Sequence, residues 1–276
     1  MADAAFALRA AIPNGNATSA GSGLGGKDMI EFEYKTSHRD GVEIRHSVQS
    51  SDSDYASVAN EFLIKLFREF ALLSIKAYRP RIGAMNMPYM YSERRLDSVV
   101  LPALSKLCNG LVLTELPVVR KKSKRKVKSE HGRVDYWCIF KGYTFGVEMK
   151  GSHDRFDCET VRENSVVKRW GKMIEQLNDI EEECRNREEK TKGVIRLGLH
   201  FLSSWANKVV EPRLVDEYRD LCEGNMNVIC DEIATRCKVP NSEPSFAATW
   251  IIPDEMVYWD NATYPGVMLI AKIYED

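Results

Sequence analysis

Hydrophobic and polar residues recur along this chain with two different periods. Apolar positions three or four residues apart predict amphipathic helices, and this spacing occurs over residues 54–78, 93–107, 166–187 and 213–238. Alternation, or a short apolar run, predicts strands, and such segments occupy residues 30–34, 42–48, 111–119, 132–150, 194–202, 246–252 and 267–274. In the middle of the chain the order is helix, strand, hairpin, helix and strand. This order predicts an α/β (α+β) fold in which helices flank a mixed β-sheet.

Residues with strong turn and cap preferences support several of these boundaries. Asp40-Gly41 lies between two alternating segments and predicts the turn of an N-terminal hairpin. Pro80 ends the first helical pattern, and Ser92 is a suitable N-cap for the second.

The chain length and one segment of biased composition predict the domain organisation. At about 150 residues per domain, 276 residues form one large domain or two small ones. Residues 13–26 are rich in Gly, Ser and Asn, so we expect a flexible leader over 1–28. We expect a single domain over 29–276, with its core at about 92–202 and additions on both sides.

The composition is that of an ordinary globular chain, with 44% hydrophobic and 29% charged residues. No run of 18 apolar residues occurs, so we expect no membrane partner. The seven cysteines are scattered and form no CxxC pair, which favours reduced thiols in the cytoplasm and gives no zinc-site spacing. The formal charge of −1 gives no general reason to expect a polyanionic partner.

The segment from 133 to 150 gives the sharpest local signal. If Lys141-Gly142 forms a two-residue hairpin turn, Asp135 lies directly opposite Glu148 on one face. The other face is wholly apolar or aromatic and predicts one complete core face, formed by Val134, Tyr136, Cys138, Phe140, Tyr143, Phe145, Val147 and Met149.

Two opposed carboxylates repel each other unless a positive charge lies between them. A hard divalent cation such as Mg²⁺ prefers oxygen ligands and would remove this repulsion. Gly146 leaves room beside Glu148, and Lys150 lies two residues further along the same face. Such a lysine can orient a water molecule or stabilise charge on a phosphate.

The hairpin resembles the PD-(D/E)XK nuclease superfamily, which has the restriction-endonuclease-like fold. The resemblance rests on Asp135, twelve intervening residues, and then Glu148-Met149-Lys150. In that family a helix precedes three strands, and a second helix and a fourth strand follow. Residues 92–202 have this order, although Val134 stands where the motif's name has proline.

The resemblance implies an Mg²⁺-dependent nuclease, with Mn²⁺ as a substitute, that hydrolyses phosphodiester bonds by means of a metal-activated water. It favours DNA over RNA and endonuclease over exonuclease action, and it makes a homodimer a candidate assembly. The implied metal ligands are Asp135, Glu148 and Glu93, with Asp97 as the alternative to Glu93 one turn later. Lys150 would act on the water, and Gln176 would be the polar residue of the second helix.

A basic run follows the strand predicted over 111–119. Seven of nine residues are Lys or Arg, and such clusters bind nucleic-acid backbone without sequence preference. We expect phosphate contacts from Arg120, Lys121, Lys122, Lys124, Arg125, Lys126 and Lys128.

Two other interpretations stay open at this point. The hairpin could present an ordinary solvated face, in which case the protein would be a non-catalytic nucleic-acid-binding module on the same fold. Alternatively, the basic run could dock an acidic protein partner, and the protein would be an interaction module.

Overall fold

The structure of the chain is a computed structural model. It describes residues 35–39, 42–48, 53–78, 87–90, 93–120, 130–155, 163–180, 191–206, 215–253, 258–259 and 262–275. The predicted leader over 1–28, the turn residues Asp40 and Gly41, and the predicted boundary residues Pro80 and Ser92 lie outside these ranges.

The described residues form four α-helices and nine β-strands. The helices are α1 Asp54–Ala77, α2 Glu93–Leu107, α3 Lys168–Asn178 and α4 Val215–Arg236. A 3-10 turn covers Pro88–Met90, and a π turn over Glu163–Val167 leads into α3. The strands are β1 Lys35–Arg39, β2 Val42–Val48, β3 Val112–Arg120, β4 Glu130–Phe140, β5 Tyr143–Arg155, β6 Val194–Ala206, β7 Phe246–Ile251, β8 Tyr258–Trp259 and β9 Ala262–Glu275.

All nine strands belong to one mixed sheet. Its order is β1-β2-β7-β9-β6-β5-β4-β3, and the short β8 pairs with β9. β5 and β6 pair in parallel, and the other described pairs are antiparallel. A parallel pair needs a crossover connection, and the chain between β5 and β6 contains α3.

Helices cover both faces of this sheet, which confirms the predicted class of a mixed sheet flanked by helices. In β9, Leu269 and Ala271 join the core beneath α1 and α2, whereas Met268 and Ile270 join the core beneath α3 and α4. Alternate side chains of a strand point to opposite faces. The central strands therefore need apolar residues at every position, which explains why all six residues of β7 are buried.

The predicted helices α1, α2 and α4 are confirmed to within two residues at each end. α1 begins at a Ser53 N-cap, whose Oγ accepts a hydrogen bond from the Ala56 N–H at 3.1 Å. The N-terminal hairpin is also confirmed, with β1 and β2 as its paired strands. The predicted strand 30–34 lies outside the described ranges. α3 ends at Asn178, earlier than the predicted residue 187, and residues 181–190 lie outside the described ranges.

Among the described helices, none combines the length and the apolar character that a membrane crossing requires.

Two glycines give a matched test of how tightly α3 packs on the sheet. A Cβ at Gly198 of β6 would lie 2.7 Å from Met173 Cε, whereas Gly224 in α4 has open space around it. Gly198→Ala should therefore lower the free energy of unfolding by about 1–3 kcal/mol through overpacking. Gly224→Ala should raise it by about 0.5–1 kcal/mol, because alanine favours helix more than glycine does. Urea unfolding of both variants checks this prediction. An unchanged free energy of unfolding in Gly198→Ala would show that α3 does not pack tightly against β6.

Candidate active site at the end of the central hairpin

The turn between β4 and β5 fixes the register of the hairpin. Lys141 and Gly142 have φ values of 51° and 84°, as a two-residue type I′ turn requires. The ladder then runs from the pair Phe140 and Tyr143 to the pair Tyr136 and Val147. The predicted turn and register are confirmed over these five pairs.

The ladder ends one pair before Asp135 and Glu148, so the predicted direct opposition of these two carboxylates is wrong. Asp135 Oδ2 instead accepts a hydrogen bond from the Met149 backbone N–H at 2.7 Å. The carboxylate takes up a backbone donor of β5 at the point where the regular pairing of β4 and β5 stops. Asp135 is thereby fixed against β5 by its side chain.

The predicted apolar face also changes at this point. Six of its eight residues are buried in the core beneath α1 and α2, and Tyr143 packs against that core. Val134 instead packs with Val118, Leu177 and Ile180, so the prediction is wrong for this residue. In the β3–β4 ladder the pair Glu115 and Asp135 is missing, and Glu115 has a φ of 55°, which is rare for a residue other than glycine. The irregularity lies between Tyr136 and Val134, where the face changes.

Lys150 lies between two carboxylates that come from different elements. Its Nζ is 3.8 Å from Glu93 Oε1 on α2 and 4.0 Å from Asp135 Oδ2 on β4. The same Nζ donates a hydrogen bond to the Met149 carbonyl oxygen at 2.8 Å. The Lys150 side chain is 13% exposed, whereas those of Asp135 and Glu93 are 31% and 39% exposed. The lysine is therefore sheltered, while both carboxylates are open to a ligand.

Glu93, and not its alternative Asp97, is the acid of α2 that approaches Lys150. Glu93 Oε2 also lies 3.4 Å from the Gly151 backbone nitrogen, which donates to it. The Asp97 carboxylate accepts a hydrogen bond from the Tyr136 hydroxyl instead. Burial, and then Asp97, raise the pKa of Tyr136, so its hydroxyl remains a donor.

Gly151 allows α2 and α3 to approach the same point of β5. A Cβ at this position would lie 2.5 Å from Leu96 Cδ1 and 3.4 Å from Glu93 Cα, so a side chain here would force the Leu96 side chain to shift. From α3, the Arg169 guanidinium donates a hydrogen bond to the Gly151 carbonyl oxygen. From the sequence, Arg169 is one of three cations, with Lys168 and Lys172, that could extend the basic surface, and no sequence signal distinguishes it from other helix-surface cations.

The environment of Asp135 disfavours its negative charge. Burial is the main cause that raises its pKa, and the charges of Glu93 and Glu115 raise it further. The Met149 N–H and the Lys150 ammonium act in the opposite direction but do not cancel these effects. A cation that lies beside Asp135 and Glu93 would remove part of this electrostatic penalty.

Glu148 lies on the α3 side of the sheet. Its neighbour Met149 is buried beneath α2, and successive side chains of a strand point to opposite faces. Glu148 pairs with Gly198 in the parallel ladder and is 1% exposed. Gln176 is also on this side, beside Leu177, which packs over Gly198.

The three expected metal ligands Glu93, Asp135 and Glu148 therefore do not form one cluster. Within the ranges that the structure describes, no three His, Cys, Asp or Glu side chains are grouped so that they could hold a metal ion. The structure brings together Glu93, Asp135 and Lys150, and it adds Arg169 on the opposite side of Gly151.

The basic run stays a prediction. Arg120 ends β3 and pairs with Glu130 at the start of β4, so the run connects these two strands. Residues 121–129 lie outside the described ranges. Glu130 precedes Asp135 by five residues on β4, which corresponds to about 17 Å of strand.

A buried polar pair lies behind Lys150. His200 is opposite Lys150 in the β5–β6 ladder, and its Nε2 is 2.8 Å from the Ser152 Oγ. The indole of Trp170 stacks on the imidazole, with ring centroids 6.3 Å apart. Burial, and then the charges of Arg169 and Lys150, lower the pKa of His200 to about 3. His200 is thus neutral at neutral pH.

Comparison with protein families, with curated proteins and with solved structures finds no match for this chain. Function must therefore be argued from the side chains of the site itself.

The buried His200 makes stability depend on pH. The unfolded chain binds a proton at this residue near pH 6.5, whereas the folded chain binds it only near pH 3. The unfolded state therefore holds more protons between these values, and stability falls as the pH is lowered through this window. The slope from this residue is about 1.4 kcal/mol per pH unit. Urea unfolding at about pH 7 and pH 5 should show a smaller loss for His200→Gln than for the wild type, and equal losses would contradict this assignment.

Proposed function

We propose that this protein is a metal-dependent nuclease with a restriction-endonuclease-like core, which hydrolyses phosphodiester bonds in DNA. The observation that carries the proposal is the position of Lys150, with its Nζ within 4.0 Å of both Glu93 and Asp135 where the β4–β5 ladder ends. An acid pair with a lysine, next to an opening in the sheet, suits a reaction at a phosphate group.

The order of the elements supports this proposal. From α2 to β6 the chain runs helix, three strands, helix and strand, and β5 pairs with β6 in parallel. This is the order that the resemblance to the PD-(D/E)XK superfamily implies. Asp135 lies on the second of the three strands and Lys150 on the third, as that resemblance also implies.

The acid pair fits a divalent cation. Mg²⁺ in proteins is commonly held by one or two carboxylates together with waters and substrate phosphates, so three protein ligands are not required. Asp135 and Glu93 are partly exposed and approach the same ammonium group, and burial and repulsion raise the pKa of Asp135. We assign the cation to these two side chains, with Mn²⁺ as a substitute. Glu148 could contribute only if its side chain left its buried position.

A cation bound there would stabilise the charge that develops on the phosphoryl oxygens. The protein residues perform the remaining tasks. An ammonium group has three donors, and Lys150 uses one on the Met149 carbonyl oxygen, which leaves others for the attacking water or a phosphate oxygen. Arg169 is held beside Gly151 and can neutralise an adjacent phosphate.

One observation favours a second candidate function, a non-catalytic nucleic-acid-binding module. Glu148 is buried on the other face of the sheet, and the described residues contain no group of three ligands for a metal. A protein that only binds nucleic acid could keep Lys150, Arg169 and the basic run for phosphate contacts. Measurements of cleavage separate the two functions.

The cation can be detected without any substrate. Mg²⁺ or Mn²⁺ should raise the melting temperature of the wild-type protein, because a ligand that binds the folded state stabilises it. Asp135→Asn should abolish most of this rise. Glu61→Gln is the matched control, because Glu61 is a partly exposed acid of α1 paired with Lys65, away from Asp135, and should leave the rise intact. An equal rise in Asp135→Asn and the wild type would place the cation elsewhere.

Lys150 separates catalysis from binding. Lys150→Ala should lower the rate of DNA cleavage in Mg²⁺ by orders of magnitude while the affinity for DNA changes little, because the lysine acts on the transition state. Lys106→Ala is the control, since Lys106 forms an exposed ion pair with Glu69 on the surface of α2. If Lys150→Ala cleaves as fast as the wild type, the role of Lys150 is wrong. If no variant cleaves DNA or RNA with any divalent metal, the binding module is the better assignment.

A further inference from the structure

Three flat side chains lie together beyond the candidate active site. Arg155, the last residue of β5, pairs with Trp205 of β6 in the parallel ladder. The Arg155 guanidinium carbon is 5.6 Å from the centroid of the Trp205 indole. Tyr264 of β9 places its ring at 21° to the indole, with the centroids 6.5 Å apart.

This group is not an ordinary part of the core. Trp137, Trp170 and Trp250 are each at most 7% exposed, whereas Trp205 is only partly buried. Arg155 and Tyr264 are also partly exposed, although Tyr264 rests against the edge of the core beneath α1 and α2. A large aromatic ring at the rim of a sheet, next to a guanidinium group, is an arrangement that a planar ligand can use.

The group lies on the same face of the sheet as Glu93 of α2. Arg155 and Gly151 are separated by four residues of β5, so their positions share a face. Gly151 meets Glu93 and Leu96 of α2 on that face. Four residues of strand correspond to about 13 Å, which is roughly the length of four stacked nucleotides at about 3.4 Å each.

We propose that Arg155, Trp205 and Tyr264 form a stacking site for an unpaired base of a nucleic-acid strand whose backbone passes Lys150. The inference rests on the proposed function and narrows its substrate to DNA that is single-stranded beside the cut, such as a tail or an overhang. Bases of a duplex are stacked on each other inside the helix, and their faces are not available to the indole.

Charge and continuity favour a nucleic-acid strand over a protein segment. The group carries a permanent cation, and guanidinium groups both stack on bases and bind phosphates. Lys150 adds a second cation on β5, and its Nζ lies 3.8 Å from Glu93 of α2. A strand on this path would meet the Lys150 ammonium at one end and a base-stacking surface at the other.

Binding to labelled single-stranded oligonucleotides tests the site. A short oligo(dT) and a blunt duplex of the same length are titrated in EDTA, so that no cleavage occurs. Loss of a base–aromatic stack weakens binding roughly 5- to 160-fold, which corresponds to about 1–3 kcal/mol. Trp205→Ala should therefore weaken single-strand binding by that factor and leave duplex binding unchanged, and Trp205→Phe should retain most of the affinity.

Tyr143→Ala provides the matched control, because Tyr143 is a partly exposed aromatic residue at the opposite end of β5 and should leave single-strand affinity unchanged. Arg155→Gln is a second variant in case Trp205→Ala does not fold, and it should also weaken single-strand binding selectively. Equal single-strand affinity of the wild type, Trp205→Ala and Arg155→Gln overturns the proposal. An equal loss on single strand and duplex overturns it too, because that result would indicate a general phosphate contact.

The test of the stacking site can fail or succeed independently of the test of the proposed nuclease function. If Trp205→Ala selectively loses single-strand affinity while no variant cleaves, the stacking site stands and the nuclease assignment fails. If the wild type cleaves through Lys150 but Trp205→Ala binds and cleaves single strands normally, the stacking site fails and the nuclease assignment stands.

Discussion

The close contact between α2 and Gly151 determines where the candidate site can form. Because Gly151 has no side chain, Leu96 can pack into the space that a Cβ would fill, and the first turn of α2 reaches the backbone of β5. Glu93 then lies within hydrogen-bonding distance of the Gly151 N–H and close to Lys150. A larger side chain at this position would displace Leu96 and press against the first turn of α2, which carries Glu93.

The electrostatics of the site follow from the end of the β4–β5 ladder. Beyond Tyr136 and Val147 the two strands no longer pair regularly, so the Met149 N–H is available to the Asp135 carboxylate. Lys150 bonds its neighbour's carbonyl oxygen and keeps its charge close to both acids. Burial still raises the pKa of Asp135, so the lysine alone does not offset the penalty on this carboxylate. The site therefore favours an additional positive charge.

The sequence was sufficient for features that depend on local chemistry. The turn Lys141-Gly142 fixes the register of the hairpin, and the periodic apolar residues of α1 and α2 predict these helices closely. The departure at Asp135 was not predictable, because it coincides with a left-handed backbone at Glu115 of the neighbouring strand, and glutamate rarely adopts that conformation. The prediction continued the regular alternation of the hairpin past Tyr136. It therefore gave the wrong partner for Glu148 and the wrong face for Val134.

The sequence also could not rank residues whose importance comes from tertiary neighbours. Arg169 becomes special only because α3 crosses back over the sheet and reaches the carbonyl oxygen of Gly151. In the sequence, Trp205 likewise does not differ from other aromatic residues in strands. Its contact with Arg155 follows only from the pairing of β5 with β6.

β5 connects these features because its two edges have different partners. On one edge it pairs with β4 in an antiparallel ladder that stops at Val147, and on the other it pairs with β6 in parallel as far as Arg155. The polar groups from Glu93 to Lys150 gather where the β4 ladder ends, whereas the fully paired edge holds the buried pair of Ser152 and His200. Pairing along the β6 edge thus holds the strand in place, and the end of pairing on the β4 edge leaves a backbone donor that the Asp135 side chain can reach.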